Sequence, residues 1–195
     1  MGTYTKGVVA FGANLPSGDL PPARSVAAAM DLLEARAGVP LTRSRLYRTP
    51  AFPPGAGPDF VNAAAALDWA GTPEDLLALL HGVEAAFGRT RTARWEARIM
   101  DLDLIALGDT VLPDRATQGQ WAALPPDEAA RATPDRLILP HPRLAERGFV
   151  LVPAADVAPE WRHPVTGRTV AEMATALPAA ERAAIRPLDP GDGAP

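Results

Sequence analysis

No cysteine occurs in the 195 residues, which removes disulfides, thiolate metal sites and a cysteine nucleophile from consideration. Lysine is nearly as scarce. Lys6 is the single one among 19 basic side chains, so cationic chemistry here is guanidinium chemistry. Aromatic residues make up only 6%, which leaves few large rings for a core or a ligand platform. No apolar run approaches the roughly 20 residues of a membrane-spanning helix, and residues 1–20 lack the basic start and long apolar stretch of a secretory leader. A formal net charge of −4 without a basic stripe argues against broad nucleic-acid binding. The expectation is a soluble, cytoplasmic, monomeric protein that engages neither nucleic acid nor membrane.

Small and backbone-special residues are abundant instead: 39 Ala, 22 Pro and 16 Gly. Alanine inflates the 47% hydrophobic content, so the core rests on rather few Leu, Val, Ile and aromatic side chains. The length suits one domain. We expect it over 1–186, with an insertion at 113–136 and a flexible C-terminal tail over 187–195.

Periodicity then orders the chain. Gly7 to Phe11 reads as a strand ending at the turn signal Gly12-Ala13-Asn14-Leu15-Pro16. Pro22 to Arg36 is helical, with Val26, Met30 and Leu33 in step and Gly38 as a stop. Leu41 to Tyr47 and Phe60 to Leu67 read as strands, the second despite a weak AAAA centre. Thr72-Pro73-Glu74 opens a helix that runs to Phe87 and stops at Gly88. Arg89 to Arg98 reads as a loop, Met100 to Leu107 as a strand, and Thr110 to Leu112 as its short partner. Helices are expected around Phe149 to Ala155 and over Thr169 to Leu177. Strand, helix, strand, strand, helix, strand is a ferredoxin-like α+β order, a mostly antiparallel sheet with helices on one face.

The sharpest chemical feature is Asp101-Leu102-Asp103. On a strand both carboxylates project to one face while Met100, Leu102 and Leu104 turn to the other; on a helix they would diverge by about 200°. Paired carboxylates repel unless a cation or proton intervenes, and hard divalent cations take oxygen ligands that phosphates can complete. Arg89, Arg91, Arg94 and Arg98 stand just ahead of them, and guanidinium binds phosphate through a bidentate fork. Together these point to a site for a polyphosphate and its metal. Pro140-His141-Pro142-Arg143 and Arg147-Gly148-Phe149 form a second group, in which His141 either touches phosphate or caps its turn. Asn62, in an apolar segment, either orients a loop or reads the edge of a heterocycle.

FGAN, LYRTPAF, PDFVNAAAAL, RWEARIMDLDLIALG and LPHPRLAERGFVLVPAADVAPE stand in the order and spacing of the 6-hydroxymethyl-7,8-dihydropterin pyrophosphokinases, which the chain resembles from about Lys6 to Glu160. The resemblance implies a ferredoxin-like α+β fold. It also implies transfer of the terminal diphosphate of ATP to the pterin hydroxymethyl oxygen in folate biosynthesis, with release of AMP. By the same resemblance Asp101 and Asp103 would hold two Mg2+ ions, and Arg89 and Arg98 would act beside them in catalysis. Arg89, Arg91, Arg98, His141 and Arg147 would contact the phosphates of ATP, and His81, Glu84, Trp95 and Leu104 would lie near the nucleotide. Gly12, Thr49, Pro50, Phe52, Phe60, Asn62 and Phe149 would surround the pterin. The chain departs from the family pattern at Ala13, Phe60, Glu96, Ala97 and Pro142. Two other readings compete: a catalytically weak pterin or nucleotide-binding module of the same fold, and a metal-dependent nuclease built on Asp101 and Asp103.

Overall fold

The structure is a computed structural model that describes residues 4–51, 57–88 and 99–189. Strand β1 (Thr5–Ala13) lies inside the sheet, antiparallel to β5 (Asp101–Leu107) on one side and to β4 (Phe60–Trp69) on the other. Beyond β4 come β3 (Tyr47–Thr49) and β6 (Arg186–Pro187), and β2 (Thr42–Arg43) pairs with β4 as well. Every pairing among the described strands is antiparallel.

Both faces of this sheet are covered, where the sequence pointed to one. Helices α1 (Pro22–Ala37) and α2 (Pro73–Ala86) pack on the first face. There Val9, Phe11, Ala63, Ala65, Leu67, Leu102 and Leu104 share a core with Met30, Leu33, Leu76 and Leu80. Helices α5 (Gly148–Val157) and α6 (Val170–Ala176) cover the second, where Val8, Ala10, Ala64 and Ile105 meet Leu151, Ala154 and Met173. The physical reason lies in β4. Its four central alanines are all at most 1% exposed, and they let helices approach the sheet closely from both sides.

Local signals explain the helix boundaries. Thr72 and Asp75 form a reciprocal capping box at the start of α2, and Thr169 and Glu172 do the same for α6. Gly38 ends α1 in the left-handed region at φ 67°, with its N–H donating to the Glu34 carbonyl.

Two strand expectations are corrected, and two segments without an assigned element in the sequence carry them. The strand over Leu41 to Tyr47 is split into β2 and β3, because the Ser44 hydroxyl accepts from Ala64 N at 2.8 Å in place of a regular ladder partner. Thr110 to Leu112 does not pair back on β5; Leu112 bridges Leu139 instead. The 113–136 segment holds two helices, α3 (Arg115–Ala122), capped by Asp114, and α4 (Pro126–Arg131). The chain also stays ordered at Arg186–Pro187, where β6 extends the sheet after α7 (Ala179–Ala184), and Leu188 N donates to Leu46 O at 2.8 Å.

Candidate active site

Period-two alternation places the site. On β1, Val8 and Ala10 face α5, so Gly12 lies on that face as well. Gly12 is paired with Asn62 on β4 and with Asp101 on β5, while Ala10 is paired with Ala64 and with Asp103. Tyr47 on β3 extends the outer row beside Asn62. Asp101, Gly12, Asn62 and Tyr47 therefore form one row across four strands, with Asp103 in the row behind. At a strand spacing of about 4.8 Å, the Asp101 and Asn62 backbones stand roughly 10 Å apart with the side-chain-free Gly12 between them.

Each wall of this trough has its own support. The Asn62 amide is 5% exposed and donates from Nδ2 to Thr49 Oγ1 at 2.7 Å, so its carbonyl oxygen is turned toward Gly12. A Cβ at Gly12 would lie 2.9 Å from that oxygen, so any larger residue there has to displace the Asn62 amide. Phe60 is half-buried opposite Thr49.

At the other wall, β5 is an edge strand whose outward backbone groups need partners. Glu84, buried on α2, accepts from Leu102 N at 2.9 Å and so braces the strand between the two aspartates from beneath. Ile105 is the extra residue of a β-bulge, since Val8 pairs with Ala106 and Val9 with Leu104, and its carbonyl accepts from His141 N at 2.9 Å. That bond draws His141 alongside Asp103.

Arg147 closes the site from the start of α5. Its Nη1 donates to Asp103 Oδ2 at 3.2 Å, and its guanidinium carbon lies 5.7 Å from the centre of the Phe149 ring. Phe149 is 41% exposed, a high value for a residue of its size, and its ring is available to a planar ligand. The His141 Nδ1 accepts from Arg143 N at 3.1 Å. Burial pushes the His141 imidazole down to about 4, with Asp103 opposing and Arg147 adding to the shift. The ring is thus neutral near pH 7, and with Nδ1 acting as acceptor its proton sits on Nε2, a donor free of backbone duties.

The structure sets Phe60, Asn62, Gly12, Asp101 and Asp103 on one face of the sheet, with Thr49 bonded to Asn62, Arg147 bonded to Asp103, Phe149 beside Arg147, and His141 tied to β5. Pro50 is exposed beside Thr49, and His81 is exposed on α2. Leu104 sends its side chain into the core at 3% exposure, so only its main chain is left to meet a ligand. Phe52, Arg89, Arg91, Arg94, Trp95, Glu96, Ala97 and Arg98 lie outside the described residues. Two buried polar residues are absent from the sequence-based site. Asn14, where β1 leaves the sheet, is 7% exposed with its Oδ1 unpartnered among the described residues, and Gln118 on α3 is 1% exposed. Asn14 figures in the sequence only as part of a turn signal and of the FGAN motif, and Gln118 carries no signal of either kind.

Among the described residues no three His, Asp or Glu side chains cluster in the manner of a protein-enclosed metal site. The aspartate pair is an oxygen-only donor set, charge-compensated by Arg147, and it fits Mg2+, which is typically held by one or two carboxylates with substrate phosphates completing the shell.

Two carboxylates and an amide set across the sheet around a bare glycine, with a guanidinium on one carboxylate, suit a phosphate-bearing ligand and its metal ion. The pattern of the 7,8-dihydro-6-hydroxymethylpterin-pyrophosphokinase family matches residues 8–159. The 2-amino-4-hydroxy-6-hydroxymethyldihydropteridine pyrophosphokinase of Pseudomonas aeruginosa is 37% identical over 174 residues, 87% of this chain and 90% of the relative. The enzyme of that name from Methylorubrum extorquens is 35% identical over 89% of this chain and 94% of its own length. Among solved structures, the Plasmodium falciparum HPPK-DHPS chain superimposes with a TM-score of 0.61 at 14% identity, covering 90% of this chain and 45% of that one. The chain therefore spans about half the length of the solved chains it matches in fold. This chain belongs to the 6-hydroxymethyl-7,8-dihydropterin pyrophosphokinase family, ATP-dependent diphosphotransferases of folate biosynthesis.

Proposed function

We propose that the trough over Gly12 is where the diphosphate moves: the pterin lies at the Asn62 wall and the phosphates of ATP at the Asp101 and Asp103 wall. One observation carries this reading, the row Asp101, Gly12, Asn62, with its single gap between a carboxylate and an amide. A pterin ring bound against Phe149 and Phe60, with its edge against the Asn62 amide, directs its hydroxymethyl arm along the gap toward β5. The hydroxyl oxygen then bonds to the β-phosphorus of ATP, the bond from that phosphorus to the α,β-bridging oxygen breaks with its electron pair going to AMP, and the hydroxyl proton passes to solvent.

Asp101 and Asp103 would hold Mg2+, two ions in all, whose chemistry is to neutralise phosphate oxygens and align them. Arg147 spans Asp103 and the ring of Phe149, so it can exchange its carboxylate partner for a phosphate oxygen when ATP arrives. His141 offers Nε2–H as a neutral donor to phosphate. Glu84 keeps the aspartate strand in place through Leu102. Neither a covalent nucleophile nor a strong general base is required, because the work is positioning and charge compensation. We further read the protein as a cytoplasmic monomer that acts on ATP and the pterin and binds neither nucleic acid nor membrane.

The test is AMP formation from ATP and Mg2+ with and without 6-hydroxymethyl-7,8-dihydropterin. Wild-type protein is expected to make AMP only when the pterin is present. Asp101→Ala and Asp103→Ala are expected to remove that activity while the far-ultraviolet circular dichroism stays unchanged. Pterin and ATP binding by wild type without product over hours would instead leave a binding module, and full activity in the double variant would refute the metal-holding role.

A further inference from the structure

Among the described residues, Gln118 links the 113–136 segment to the site. Gln118, on α3, is 1% exposed, and its Nε2 donates to the carbonyl oxygen of Pro140 at 3.2 Å. Pro140 immediately precedes His141, so that carbonyl belongs to the same peptide unit as the His141 N–H, which donates to Ile105 on β5. The two groups point from opposite edges of one planar unit. The peptide is therefore held on both sides, by α3 on one and by the aspartate strand on the other. The imidazole is pinned in turn by Arg143 N on Nδ1. None of these three bonds uses substrate.

Helix α3 is itself anchored independently of the site. Asp114 caps it by accepting from Thr117 N at 2.9 Å, Arg115 Nη1 donates to Pro164 O at 2.8 Å, and Leu112 bridges Leu139 just before Pro140. A buried glutamine whose amide is spent on a backbone carbonyl serves a purpose other than apolar packing, for which leucine or methionine would suffice.

We propose that Gln118 is a positioning residue: by holding the Pro140 carbonyl it sets the direction in which His141 presents Nε2–H to the phosphates of ATP, so that the 113–136 segment tunes nucleotide affinity without touching the nucleotide. This inference rests on the reading that His141 meets phosphate.

Steady-state kinetics on the full chain, varying ATP with Mg2+ and the pterin separately, test it. Gln118→Met keeps the length and loses the donor. It is expected to raise the KM for ATP roughly 2- to 10-fold, the range for one lost hydrogen bond, with kcat and the pterin KM unmoved. In the double variant with His141→Ala the ATP KM should be no higher than in His141→Ala alone, because residues acting through one another are not additive. Wild-type ATP KM in Gln118→Met, beside a raised one in His141→Ala, would overturn the inference alone, as would effects that multiply in the double variant. An unchanged ATP KM in His141→Ala would overturn the phosphate reading and this inference with it. Should Gln118→Met not fold, Asp114→Ala loosens α3 from an exposed position and should raise the ATP KM more mildly; an unchanged value there overturns the inference.

Discussion

Replacing Gly12 by alanine separates the two walls of the trough. The added Cβ would sit 2.9 Å from Asn62 Oδ1, against 3.4–4 Å for an ordinary contact, and it would meet nothing else within 4 Å among the described residues. The strand backbone is paired on both sides at Gly12, so the Asn62 amide has to move by about half an ångström. That movement works against its 2.7 Å bond to Thr49. Losing the bond costs about 0.5–1.5 kcal/mol, and leaving a buried amide mispaired with its ligand costs about 1–3 kcal/mol. The expected result is a pterin KM raised roughly 5- to 150-fold. The melting temperature should fall by about 2–4 °C per kcal/mol for a chain of this size. The ATP KM should hold, because Asp103, His141 and Arg147 are not in the path of the new methyl group. Steady-state kinetics with pterin and ATP varied separately, alongside thermal unfolding, measures all three quantities. Wild-type pterin affinity in Gly12→Ala would refute the placement of the heterocycle against Asn62.

Other perturbations probe the scaffold. Ala64→Leu forces three extra carbons between β4 and α5 at a position with no exposed surface, and the overpacking should cost about 1–3 kcal/mol in urea unfolding. A variant as stable as wild type would mean that the helix layer is not in close contact there. Stability should also decline on mild acidification. Burial lowers the folded-state values of His141, to about 4, and of His163. Both lie below the unfolded value near 6.5, so the native state binds fewer protons. The stabilisation is complete above about pH 6.5, erodes as pH falls from there, and for His141 levels off below about 4. The slope is at most about 1.4 kcal/mol per pH unit for each histidine. Urea midpoints that stay flat between pH 7 and pH 5 would contradict both assignments.

Much of this was legible because strand alternation is a strong signal. Asp101 and Asp103 share a face, and Met100, Leu102 and Leu104 lie buried on the other, as the alternation indicates. The capped helices were readable for a similar reason: Thr72-Pro73 and Gly38 act within a few residues of themselves. The second helix layer was not, because Ala63 to Ala66 look alike on both sides of the strand and alanine does not reveal which face is covered. The split between β2 and β3 depends on one serine hydroxyl replacing a backbone partner, a choice made by the neighbouring strand. The bracing of β5 by Glu84 and His141, and of Pro140 by Gln118, joins residues 18 to 36 positions apart, and local periodicity carries no information about such pairs.

The late elements of the chain bear on the order in which the site can be assembled during synthesis. Residue Glu181 on α7 accepts from Gly148 N at 3.2 Å at the start of α5, where Arg147 and Phe149 stand. Strand β6 pairs with Tyr47 and Arg48, next to Thr49. Both walls are therefore tied to residues 181–188. A ribosome-bound chain can have made every aspartate, arginine and amide of the trough and still hold them loosely, gaining its final geometry only after those residues emerge.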